Sequence, residues 1–125
     1  MSGLTPFSYS SKDYFAASYK KLLKTRAGEN RSTIDSLISG LINDPFGHGC
    51  GEEPRPAKLK LAEDLQFYKL KQKIAQHASG QIRIMYLVNK KARTIYFLLI
   101  YSHEQFAKRP HDQEIINAVQ EFFSG

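Results

Sequence analysis

Three short stretches constrain what this chain can fold into. They are "LQFYKLK" (65–71), "QIRIMYLV" (81–88) and "TIYFLLIY" (94–101). Each is rich in branched and aromatic residues, holds no proline and is too short for a stable helix, so each reads as a β-strand. "HASG" (77–80) and "NKKA" (89–92) lie between them as short links. Short links join antiparallel neighbours, so the expectation is a three-stranded meander. "FSY" (7–9) or "PAKLKL" (56–61) is placed to add a fourth strand.

Alternation along these strands sorts the side chains into faces. Ile82, Ile84, Tyr86 and Val88 fall on one face, Arg83, Met85 and Leu87 on the other. On the strand before, Phe67, Lys69 and Lys71 share a face. The simplest registration turns the 82/84/86/88 face to the helices and puts Arg83 with the two lysines on an open basic shelf. Alternate positions on a strand lie roughly 6.6 Å apart, close to the roughly 6–7 Å between neighbouring RNA phosphates. The competing reading makes Lys69 and Lys71 edge-strand charges that discourage sheet-to-sheet pairing.

Upstream, the period changes to that of a helix. Ser10 or Ser11 can cap a helix running to about Arg26, with Phe15, Tyr19, Leu22 and Leu23 as its apolar stripe. After "GEN" (28–30), Ile34, Leu37, Ile38, Leu41 and Ile42 repeat at i, i+3, i+4, i+7 and i+8, predicting a second helix and an antiparallel helical hairpin. "NDPFGHGCGEEPRP" (43–56), with its three Pro and three Gly, is expected to hold no regular structure. A last helix starts at Asp112 after Pro110, with Ile115, Ile116, Val119, Phe122 and Phe123 on its apolar side. The fold class is α+β: an N-terminal helical hairpin on a 3–4-stranded antiparallel sheet with a C-terminal helix, the helices gathered mainly on one face.

The 125 residues suit a single domain, 1–125, able to bury a core without staples. No stretch is long and apolar enough to span a bilayer. "MSGLTPFSYSSKDYF" lacks a basic region followed by an apolar run, so no secretory signal is expected. Cys50 is the single cysteine, which excludes an intrachain disulfide and suits a reducing cytoplasm. His48 and Cys50 are two ligand types where a zinc site wants four, so no metal and no cofactor is expected.

The net charge of +6 is unevenly placed. Residues 54–93 hold ten Lys/Arg (Arg55, Lys58, Lys60, Lys69, Lys71, Lys73, Arg83, Lys90, Lys91 and Arg93) against Glu63 and Asp64. The first 53 residues balance at six each, and residues 94–125 carry two Lys/Arg against four acids. A basic block of this kind attracts polyanions, of which nucleic acid is the commonest, or is a solvated face with no partner.

The order of the strand motifs adds a family resemblance. "FYKLK", "SGQIRIMYLV" and "IYFLLIYSHEQF" resemble the RelE/ParE superfamily of toxins from type II toxin–antitoxin modules, in motif over residues 58–106 and in outline over the two helices. With both the lysine pair and the arginine present, the RelE-like mRNA interferase branch is the better match. The resemblance implies a cytoplasmic, ribosome-dependent endoribonuclease that cuts mRNA in the ribosomal A site without metal and is neutralised by a cognate antitoxin. In that chemistry the ribose 2′-OH attacks the adjacent phosphorus, leaving a 2′,3′-cyclic phosphate and a 5′-OH.

Carried over by position, Lys69 and Lys71 match the family's catalytic lysine strand, Arg83 its middle-strand arginine, and His103 its basic residue after the last strand. Lys71 or Lys69 would be the base, Arg83 the phosphate clamp and His103 the acid, roles that suit a cationic site and an imidazole working near neutral pH. Lys58, Lys60, Lys73, Phe106, Lys108 and Arg109 are the expected RNA contacts. Phe122 and Phe123 are the expected antitoxin anchors. The rival readings are a ParE-like inhibitor of DNA gyrase and a non-catalytic RNA- or protein-binding module.

Overall fold

A computed structural model describes residues 5–74 and 80–123. In chain order the elements are β1 (Ser8–Ser11), α1 (Asp13–Leu23), a 3₁₀ turn (Arg26–Asn30), α2 (Arg31–Asn43), β2 (Cys50–Glu52), β3 (Gln66–Lys73), β4 (Gln81–Asn89), β5 (Thr94–Ser102) and α3 (Asp112–Phe123). The strands form one sheet in the order β1-β5-β4-β3-β2. β3, β4 and β5 are the expected meander. Most of the "HASG" link, His77 included, lies outside the described residues.

The sheet has five strands and is mixed, which corrects the expectation of three or four antiparallel ones. "FSY", not "PAKLKL", supplies the added edge strand, and β1 pairs with β5 in parallel. The fifth strand comes from the loop expected to have no regular structure: Cys50, Gly51 and Glu52 pair with Leu70, Lys69 and Tyr68. Gly49 makes this approach possible. Its φ of +85° suits glycine, and a Cβ there would stand 2.7 Å from the Lys71 carbonyl oxygen. Lys71 N–H donates to Gly49 O at 2.9 Å across the gap the missing side chain leaves.

α1 ends at Leu23, short of Arg26, because the chain tightens there. Thr25 N–H and Oγ1 both donate to Leu22 O, at 3.0 and 2.6 Å, and Gly28 N–H donates to Thr25 O. α1 also guards an edge. β1 pairs with β5 only as far as Phe97, and beyond it Ile100 N–H donates to Ser18 Oγ on α1 at 3.0 Å.

Two cores sandwich the sheet. On one side Phe15, Leu22, Ile34 and Leu41 from α1 and α2 pack on Ile82, Ile84, Tyr86 and Val88, as the alternation predicts. On the other, Ile115, Ile116, Ala118 and Val119 from α3 pack with Leu59, Leu65, Phe67, Met85, Leu87 and Leu99. Helices therefore cover both faces, not mainly one. The second face carries too much apolar surface to stand in water, and the stripe of α3 covers it.

One irregularity bears on the site. The β4–β5 register slips between Met85 and Tyr86, so that Met85 faces Leu99 while Tyr86 faces Phe97. The extra residue, Leu98, reverses the alternation of β5: Ile95, Phe97 and Ile100 join the first core, Leu98, Leu99 and Tyr101 the second. A bulge of this kind re-aims side chains beyond it, and here it brings Tyr101 to the face of Arg83.

Candidate functional site

The registers assemble two rows at one end of the second face. Lys71 stands opposite Arg83, which stands opposite Tyr101. Lys73 stands opposite Gln81, and Gln81 O accepts the His103 N–H at 2.9 Å. Neighbouring strands lie about 4.8 Å apart. Two exposed lysines, a buried arginine, a buried tyrosine and a half-buried histidine are thus adjacent across three strands.

The open shelf expected on this face is absent. Arg83 is only 7% exposed. Its Nη1 donates to the carbonyls of Phe106, Ala107 and Lys108 at 3.4, 2.9 and 3.2 Å, and its Nη2 to Gln81 Oε1 at 2.6 Å. The guanidinium is turned inward to hold the β5–α3 loop against the sheet. Neither Arg83 Nε, Tyr101 Oη nor His103 Nδ1 has a hydrogen-bond partner among the described residues. Phe106, on the held loop, packs edge-on against Tyr101 with ring centroids 5.6 Å apart.

Lys69 is also withdrawn. Its Nζ lies 2.9 Å from Glu53 Oε1, and Arg109 Nη1 lies 2.9 Å from Glu53 Oε2. Arg109 further donates to Pro54 O at 2.6 Å and pairs with Asp112 at 3.1 Å. By contrast Lys71, Lys73 and Lys108 are exposed, and no ion pair involves them among the described residues. Lys58 and Lys60 are not brought to this end. They line a separate cleft of about 300 Å³ against Ile116, Val119 and Phe123, one to three turns along α3 from Asp112.

Burial pushes the Tyr101 hydroxyl well above the ordinary phenol range, so it stands as a neutral group between cations. It likewise pushes the Cys50 thiol up, which argues against an activated nucleophile there. Among the described residues, no three His, Cys, Asp or Glu side chains are grouped as a metal site requires, and no helix is long and apolar enough to cross a membrane.

Sequence reasoning missed Glu53, the counter-ion of the cluster, and Gln81, which ties Arg83 to the His103 turn. Glu53 had one visible sign: it belongs to an acidic pair immediately before the basic block. What aims it is the β2–β3 pairing, and a Gly- and Pro-rich stretch gives no period from which to read that.

No protein-family model matches the chain, and no curated protein matches it. Among solved structures it is similar to the archaeal RelE–RelB complex from Pyrococcus horikoshii OT3, at 17% identity over 78% of this chain and 96% of that chain, with a TM-score of 0.49. It is also similar to a mutant of the E. coli toxin RelE in the free state, at 13% identity over 94% of this chain and 98% of that one, again with a TM-score of 0.49.

Proposed function

We propose that the chain is a RelE-like toxin-type ribonuclease that cleaves mRNA in the ribosomal A site. The observation that carries this reading is the adjacency of the row Lys71–Arg83–Tyr101 to the row Lys73–Gln81–His103, which puts exposed cations and an imidazole at one sheet end. Lys71 is the better base of the two lysines, since Lys69 is held by Glu53. In the reaction Lys71 in its neutral amine form takes the 2′-OH proton, the 2′-oxygen bonds to phosphorus, and the bond to the 5′-oxygen breaks. His103 protonates that oxygen as it leaves. Lys73 and Lys108 hold flanking phosphates, and Phe106 offers a ring to a base. Arg83 acts as a positioning residue: it fixes the loop that carries Phe106 and Lys108 and adds positive potential beneath the site. A cognate antitoxin is the protein partner the resemblance implies, and the cytoplasm the compartment.

Cleavage of mRNA on programmed ribosomes, with the ends mapped, tests this. Wild type should cut within the A-site codon and leave a 2′,3′-cyclic phosphate. Lys71→Ala and His103→Ala should each lose about 10²–10⁴ in rate. Both leave Arg83's hydrogen bonds in place, which makes them cleaner probes than Arg83 itself. Absence of wild-type cleavage where a RelE toxin cuts defeats the enzymatic reading. A second reading, a non-catalytic RNA-binding module, draws on the inward turn of Arg83 and the pairing of Lys69. It expects salt-sensitive RNA binding that survives His103→Ala with no cleavage by either protein.

A further inference from the structure

Glu53 lines two clefts of mixed charge. One, of about 290 Å³, runs past Gly49, Gly51, Lys69 and Lys71. The other, of about 690 Å³ and open to solvent, is lined by Lys108, Arg109, His111 and Asp112. The Glu53 side chain is 9% exposed, and each oxygen is taken by a different cation, Lys69 on one side and Arg109 on the other. A phosphate diester presents two oxygens to such a pair in the same way, and arginine holds carboxylate and phosphate with the same fork.

Stability alone explains this carboxylate poorly. Burying an ion pair costs in desolvation about what the attraction returns. Of the two carboxylates on these cations, Glu53 is buried between Lys69 and Arg109, while Asp112, on the other side of Arg109, is exposed. The segment that carries Glu53 is a sheet edge, held to β3 by the Gly49–Lys71 and Glu53–Phe67 backbone bonds and to the approach to α3 by Arg109 on Pro54 O. β2 is a three-residue edge strand with Gly51 and Glu52 exposed, and Glu53 is tethered by its N–H to Phe67 O at 2.9 Å. Short edge segments open at low free energy while the core stays closed.

We propose that Lys69 and Arg109 form a site for an RNA backbone phosphate which Glu53 fills as an internal stand-in, and that the 49–53 segment lifts away when RNA enters. The two clefts then join into one groove from Lys71 to Lys108. This rests on the RNA-binding reading above and adds the regulation of that site: RNA must displace a carboxylate before Lys69 and Arg109 can hold it.

The test is binding of a fluorescein-labelled, single-stranded RNA, followed by anisotropy across a salt series, for wild type, Glu53→Gln and Glu52→Gln. Glu53→Gln should bind about tenfold tighter at low salt, its log K against log salt steeper by roughly 0.7, the share of one phosphate that no longer has to exchange with an internal carboxylate. Glu52→Gln makes the same change in net charge on an exposed neighbour and should leave the slope unchanged. Equal or weaker binding by Glu53→Gln, or the same gain from Glu52→Gln, overturns the proposal. Hydrogen exchange on the wild type serves if Glu53→Gln fails to fold: amides 49–53 should exchange faster with RNA bound, and unchanged or slower exchange overturns it. If the wild type binds and cleaves RNA while these signatures are missing, this inference alone falls. If neither protein binds RNA, the RNA reading falls and takes the inference with it.

Discussion

The two faces of the sheet begin from the same strands and end differently. Against α1 and α2 the face is apolar from Val88 to Ile82, with each of those side chains fully buried. Against α3 it is apolar only as far as Met85. Beyond that, α3 gives way to the loop and the row becomes Lys71, Arg83 and Tyr101. The first face is closed by a helical stripe whose side chains need only match in size. The second is closed by a guanidinium holding three carbonyls and a carboxylate holding two cations. Closure by size is robust. Closure by charge is conditional, since a competing charge can replace either partner. The proposed site lies on the side where the core stops short.

The strongest way to break this contrast is to truncate matched neighbours on β4. Ile84→Ala should cost about 3–4 kcal/mol, because a fully buried side chain leaves a cavity the sheet cannot close. RNA binding by the protein that remains folded should be unchanged. Arg83→Ala should cost less, about 2 kcal/mol, because carbonyls on a half-exposed loop recover water. It should nevertheless loosen the amides of residues 103–109 and abolish cleavage. Urea denaturation and hydrogen exchange read both. Equal stability losses with equal effects on RNA would mean the two faces are the same kind of core.

Much of this contrast was legible in the sequence, and the part that was not has a physical cause. The meander, the face of Ile82–Val88 and the placing of Arg83 with Lys71 all follow from period-two alternation, which is local. The covered second face was in view as well, in Phe67, Met85 and Leu87, but the cationic neighbours argued for water. β2 was invisible because Gly49 and Gly51 carry no strand propensity and the pairing is fixed by backbone approach to β3. Tyr101 reaches the face of Arg83 through the bulge at Leu98, which reverses the order for every residue after it and leaves no mark in the sequence. The parallel pairing of β1 depends on how far the chain travels before β5 returns. What stayed hidden was a contact between separate segments, Glu53 among them, or, at Leu98, an irregularity between neighbouring strands.

Two buried tyrosines, one on each face, sharpen the comparison at a smaller scale. The Tyr86 hydroxyl donates to Pro45 O at 2.6 Å, while Tyr101 Oη finds no partner among the described residues. Tyr86→Phe should cost about 1 kcal/mol, and Tyr101→Phe should be neutral or slightly stabilising. Burial pushes both hydroxyls above the ordinary phenol range. Below about pH 10 these phenols are protonated in both folded and unfolded states and contribute no pH dependence. Above it the unfolded chain ionises first, so stability falls as pH rises, by about 1.4 kcal/mol per pH unit for each tyrosine. Urea titrations from neutral to alkaline pH should show each Tyr→Phe variant removing one share of that slope. A steep loss persisting in the double variant would assign it to other groups.

The smallest effect on stability should come from the residues that matter most to the proposed chemistry. Lys71 and Lys73 are exposed and enter no ion pair among the described residues, so Lys71→Gln and Lys73→Gln should each shift stability by less than about 0.5 kcal/mol. Their effect belongs on the salt axis. Each should flatten the dependence of single-stranded RNA binding on salt by about 0.7 in log–log slope, the share of one phosphate. Lys58→Gln, on the separate cleft beside α3, is the internal reference for a cation away from the site. If all three flatten the slope alike, RNA lies over a diffuse basic surface, and the two-row end of the sheet has no special claim to it. If only Lys71 and Lys73 do so, the strand register that puts them beside Arg83 and Gln81 is what selects the binding face.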